Sequence, residues 1–134
     1  MIYLTGEHAL NMTCSLNTDG DWHTSALAWK NLTLRESEGS FFGDYGIEPP
    51  KKLPVCGKVY PVANHIRALL DLIYERKYPI AQGMRDDFIV TDEYDDEIFD
   101  LVMKMKDLPY FDEIDRFMGN EYMMKWINYK KVSA

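Results

Sequence analysis

The chain has 134 residues, a formal net charge of −7 and 46% hydrophobic residues, including three Trp, nine Tyr and six Phe. That length suits one domain with one core, and the aromatic content excludes an acidic disordered chain. The charge is concentrated in residues 86–121, where thirteen carboxylates face three bases for a local charge of −10, leaving +3 on the remainder. Phosphate contacts need Lys and Arg, so direct nucleic-acid binding is disfavoured, whereas an acidic field attracts a basic partner.

At the start, Met1-Ile2-Tyr3-Leu4 runs straight into Thr5-Gly6-Glu7-His8, with neither a basic segment nor a long apolar one, and the sequence holds no uncharged apolar run of about 18 residues. The expectation is a cytoplasmic protein without membrane association. Two cysteines, Cys14 and Cys56, are too few to staple a secreted scaffold. Reduced thiols in a bacterial-type cytoplasm are expected, with a single bridge between them left open.

Before Pro61 the chain consists of short segments, Met1 to Leu4, Ala9 to Leu16, Ser25 to Leu34 and Ser40 to Tyr45, broken by Thr18-Asp19-Gly20, Gly39, Gly43, Gly46, Pro49-Pro50 and Pro54. These read as short strands and ordered loops. After Pro61 the period becomes helical. Val62, Ile66, Leu69, Leu70 and Ile73 form one apolar stripe, predicting a helix to about Lys77 that Pro79 stops. Tyr94, Ile98, Leu101, Val102 and Met105 repeat the spacing, with Thr91 or Asp92 as N-cap and Pro109 beyond the end. A third helix is predicted from Tyr110 to about Tyr129, with Phe111, Ile114, Phe117, Met118, Tyr122, Trp126 and Ile127 inward and Gly119 as its weak point. The predicted architecture is a single α+β domain: a small antiparallel sheet from residues 1–60 and about three amphipathic helices from residues 61–131.

Two local words are alike, Gly20-Asp21-Trp22-His23 and Gly43-Asp44-Tyr45-Gly46. Each suits a tight turn in which Gly takes positive φ, Asp bonds nearby amides and the ring anchors the turn. If the turns lie side by side, Asp21 and Asp44 form a carboxylate pair. With His23, His8 and Cys14 they make the one polar cluster dense enough to resemble a catalytic site, a His acting as base and Cys14 or a water as nucleophile. No nucleophile elbow, phosphate loop or dinucleotide fingerprint accompanies them. Cys14, His23, Cys56 and His65 are the right residue types for tetrahedral zinc, but each Cys–His pair is nine residues apart, whereas zinc ligands pair within about two to five. The expectation is no metal and no cofactor.

Asp92, Glu93, Asp95, Asp96 and Glu97 suit a first helical turn, where the helix dipole favours carboxylates, and lack the alternation of a calcium loop. Together with Asp100, and with Asp112, Glu113 and Asp115 on the next helix, they predict an acidic band interleaved with aromatics such as Tyr94 and Tyr110. Such a band can imitate a phosphate backbone and occupy the basic groove of a nucleic-acid enzyme; a solvated helix face is the plainer alternative. Lys125, Lys130 and Lys131 oppose it in sign, leaving head-to-tail self-association open.

The words Tyr3-Leu4-Thr5-Gly6, Ala9-Leu10-Asn11, Cys14-Ser15-Leu16, Gly20-Asp21-Trp22-His23, Phe42-Gly43-Asp44-Tyr45-Gly46-Ile47-Glu48, the run Val62 to Asp71, and Trp126-Ile127-Asn128-Tyr129 resemble a family of small acidic bacterial proteins associated with mobile elements. The resemblance implies a context in which antitoxins and anti-CRISPR inhibitors are common, and it brings no catalytic residue. The leading expectation is therefore a non-enzymatic inhibitor whose acidic helices bind a basic nuclease, toxin or CRISPR effector. The alternative is a small enzyme at the Gly-Asp turns.

Overall fold

A computed structural model describes residues 1–21 and 27–133. Four strands, β1 (Ile2–Leu4), β2 (Leu34–Glu36), β3 (Ile47–Lys52) and β4 (Val59–Ala63), form one sheet in the order β2-β1-β4-β3. β1 pairs antiparallel with β2 and β3 with β4, but β1 and β4 run parallel, with Leu4 opposite Val62. The fold is α+β, and the sheet is mixed rather than antiparallel.

Prolines 49, 50 and 61 lie inside strands that the sequence reading broke at those residues. Register explains it: Glu48 faces Val62 and Lys51 faces Tyr60, so Pro49 and Pro50 bulge opposite Pro61 where no ladder donor is needed.

Helices are spread along the chain rather than confined to its second half. The first, α1 (Gly6–Leu10), lies in the half read as short strands and ordered loops and overlaps the start of the Ala9 to Leu16 segment; it packs on α2 (His65–Tyr74). The predicted stripe of Ile66, Leu69, Leu70 and Ile73 is buried on α2, whereas Val62 belongs to β4. Asn64 caps α2, its Oδ1 accepting from the Arg67 amide at 2.8 Å. Buried from His65 through Ile73, α2 is the central helix.

A short helix α3 (Tyr78–Ala81) and a π-helical turn (Met84–Ile89) lead to Val90, which holds φ +67°. Helix α4 (Asp95–Met103) buries Ile98, Leu101 and Val102 as its stripe predicts, but its N-cap is Tyr94 rather than Thr91 or Asp92. The single last helix expected is two, α5 (Phe111–Tyr122) and α6 (Met124–Ser133), broken at Met123 (φ +52°, ψ −127°) and not at Gly119. Ile114, Phe117, Met118, Tyr122 and Trp126 face inward, while the turn at Met123 leaves Ile127 exposed. Among the described residues no helix is long and apolar enough to cross a membrane.

Candidate functional site

The two Gly-Asp turns dock at different places. Gly20 packs on the His65 ring, where an added Cβ would lie 2.6 Å from Nε2, and the Asp21 amide donates to the Leu10 carbonyl at 2.7 Å. Gly46 packs on Asn64 and Arg67, and the Gly43 and Tyr45 carbonyls both accept from Arg67 Nη1. Asp21 lines a hollow with Asp86 and Asp87, whereas Asp44 is exposed on the turn that crosses Arg67.

His8 is buried edge-on to Trp29, with Nδ1 2.8 Å from Thr33 Oγ1 and Nε2 3.0 Å from the Ala28 carbonyl, so both ring nitrogens serve the fold. His23 lies outside the described residues. Cys14 meets neither His8 nor Asp44 but a different histidine, because its Sγ is 3.5 Å from Thr18 Oγ1, which is 2.6 Å from Nδ1 of buried His65. Cys56 is exposed on the turn joining β3 to β4, and both cysteines are free thiols. Among the described residues no cluster of three or more potential ligands could hold a metal.

The structure divides the nine predicted partner-binding carboxylates. Glu113 makes a two-pronged pair with Arg76, and Asp115 accepts from Trp126 Nε1 at 2.8 Å and Lys130 Nζ at 2.7 Å. Burial acts to raise Asp115, but those two donors outweigh it and hold the carboxyl below its usual range. Asp100 accepts from the Tyr129 hydroxyl and Glu97 from the Tyr45 hydroxyl. Asp112 is exposed at the start of α5, and the Glu93 amide turns back onto the Thr91 hydroxyl. Pairing of this kind fastens α4, α5 and α6 to their neighbours and withdraws much of the band from external partners.

Asp92, Asp95 and Asp96 instead line a trough of three adjoining hollows of about 450, 340 and 420 Å³. The first lies between the Asp19–Asp21 loop and the π-helical turn, and shares Asp86 and Val90 with the second. The second shares Asp95 and Lys125 with the third, which continues between α4 and α6 over Phe99 and Val132. Seven carboxylates (Asp19, Asp21, Asp86, Asp87, Asp92, Asp95 and Asp96) line it against two cations, Arg85 and Lys125. Lys125 is committed to Asp95 at 3.2 Å, and the Arg85 guanidinium lies over the Tyr122 ring.

Sequence reasoning assigned Asp21 to catalysis and left Asp19, Asp86 and Asp87 out of the binding surface. The π-helical turn brings the segments together, since the Phe88 carbonyl accepts from both the Asp19 and Gly20 amides at 3.0 and 2.8 Å. The one available signal was the Asp86-Asp87 pair at the head of the acidic stretch. No family model, curated protein or solved structure matches the chain.

Proposed function

We propose that the chain is a non-enzymatic interaction protein whose acidic trough seats a basic segment of a protein partner and thereby covers a surface that the partner uses for nucleic acid. An antitoxin or anti-CRISPR inhibitor is the class of protein meant. The observation that carries the reading is the lining of the trough, seven carboxylates against two cations across three connected hollows. A concave lining of one sign focuses its field outward, speeds encounter with a cationic surface and repels nucleic acid. Apolar side chains along the same trough, Val90, Phe99 and Val132, provide area that excludes water around the ion pairs.

The test is kinetic. A basic partner retained by the tagged protein at low salt and released at high salt is purified, and its association rate is measured against increasing ionic strength. Asp86→Lys, Asp92→Lys and Asp96→Lys combined should slow association about tenfold or more and flatten its salt dependence. Asp112→Lys, outside the trough, should leave both unchanged. Equal association by the triple variant and the parent chain would overturn the reading.

A further inference from the structure

After α1, residues 12–21 fold over the N-terminus of α2, and this places a nucleophile, a hydroxyl and a buried imidazole in series. Cys14 Sγ is 3.5 Å from Thr18 Oγ1, Thr18 Oγ1 is 2.6 Å from His65 Nδ1, and His65 Nε2 is 2.6 Å from the Met12 carbonyl. A carbonyl oxygen only accepts, so Nε2 carries the ring proton and Nδ1 is the basic nitrogen. It accepts from the Thr18 hydroxyl, whose oxygen is then placed to accept from the thiol.

Cys14 is half-buried, whereas His65, which supplies the base, is fully buried. Of the charged or titratable groups around the loop, Asp19 and Asp21 line the trough beside Asp86 and Asp87, and three from neighbouring elements are hydrogen-bonded to the loop. Glu48 of β3 accepts from the Ser15 amide and hydroxyl, Lys51 donates to the Thr13 carbonyl and to Glu48, and the Tyr94 hydroxyl accepts from the Asn17 amide. His65 is the base that the Thr18 hydroxyl joins to the thiol.

We infer that Cys14 is a modification site, a nucleophilic thiol that takes up a small-molecule disulfide with His65 as its base through Thr18. The Cys14 proton passes to the Thr18 oxygen as the Thr18 proton passes to His65 Nδ1, giving a thiolate and an imidazolium. The thiolate sulfur attacks one sulfur of the disulfide, that S–S bond breaks, and a new one forms to Cys14. The second sulfur leaves as a thiolate with the bonding pair and takes the proton back through the relay or from water. Cys14 is oxidised to a mixed disulfide while one half of the reagent is reduced to a thiol. Attack along an S–S axis needs an open approach rather than a shaped pocket, which suits a loop position.

Burial would raise the Cys14 thiol, but its interactions with His65 and Thr18 outweigh that and bring it down to about 7, while His65 is raised in the same exchange despite its burial. The probe is oxidised glutathione, applied to the Cys56→Ala chain and read by intact mass as a function of pH. The adduct should form on Cys14 with a rate midpoint near pH 7. Thr18→Val keeps the shape and removes the relay; it should move the midpoint toward the ordinary thiol value of about 8.5 and slow the reaction at pH 7 about 3-fold, greater nucleophilicity offsetting part of the lost thiolate. His65→Gln should shift the midpoint likewise. A midpoint near 8.5 in the parent, or one that Thr18→Val leaves in place in a folded chain, would overturn the assignment.

Discussion

Arg67 and Asp71 stand one turn apart on α2, both buried, with Arg67 Nε donating to Asp71 Oδ1 at 2.9 Å. Around them the polar valences close: Asp71 Oδ2 accepts from the Tyr3 and Thr5 hydroxyls at 2.6 and 2.7 Å, and Arg67 Nη2 donates back to the Tyr3 oxygen at 2.8 Å. Arg67 Nη1 meets the carbonyls of the 41–46 turn, so one side chain ties β1, α2 and that turn together. Arg67→Met strands a buried carboxylate and should cost about 3–5 kcal/mol, whereas Arg67→Met with Asp71→Leu should cost about 1–2 kcal/mol less than the two single changes summed. Urea unfolding midpoints of the three variants measure both quantities.

Gly20 and Gly39 both hold positive φ, +65° and +78°, but in different surroundings. A Cβ at Gly20 would lie 2.5 Å from His65 Cε1 and 2.6 Å from the Leu10 carbonyl, while at Gly39 it would meet nothing within 4 Å. Gly39→Ala should therefore lose only the backbone preference, about 1 kcal/mol, and Gly20→Ala should lose about 2–4 kcal/mol because backbone cannot move aside cheaply. Thermal unfolding separates the two, and equal losses would refute the packing argument.

Met123 breaks the last helix at φ +52°, ψ −127°, and the residue is 62% exposed. Few contacts are lost on truncation and an unfavourable backbone is relieved, although glycine gains freedom when unfolded. Met123→Gly should raise stability by about 0.5–1 kcal/mol, read as a higher melting temperature; a fall would mean that the Met123 side chain contributes more than its exposure indicates.

Arg35 grips Glu75 with two nitrogens at 2.7 Å, and this pairing, stronger than the opposing effect of burial, holds the Glu75 carboxyl below the usual range. A carboxyl lowered in the folded state stabilises above its unfolded pKa of about 4.3 and loses that contribution as pH falls through the folded value. Glu75→Gln should melt about 2–4 °C below the parent at pH 7, the modest size reflecting partial solvent screening, and the gap should narrow below pH 4. A gap independent of pH would show that packing, not charge, holds the pair.

The helical periods were legible because they are local. Ile66, Leu69, Leu70 and Ile73, and again Ile98, Leu101 and Val102, state which face of α2 and α4 is buried without reference to the rest of the chain. Where pairing across the sheet competes with local preference, the reading failed: Val62 is claimed by β4, and Pro49-Pro50 is tolerated because Pro61 sits opposite the bulge. The break at Met123 was hidden as well, since the inward stripe continues through it to Trp126.

The candidate sites divide along the same line. By itself the sequence determined the excess of carboxylates over residues 86–121, the apolar stripes and the residue types open to chemistry, all properties of composition or of neighbours within a turn or two. Only the tertiary structure decided that Glu113 and Asp115 are engaged by Arg76 and Lys130, that Asp19 and Asp21 join Asp86 and Asp87 in one trough, and that Cys14 answers to His65 rather than to His8. Those partners are brought together by sheet register and helix packing over tens of residues, and the energies that select them come from burial shared by the whole core, which no local pattern records.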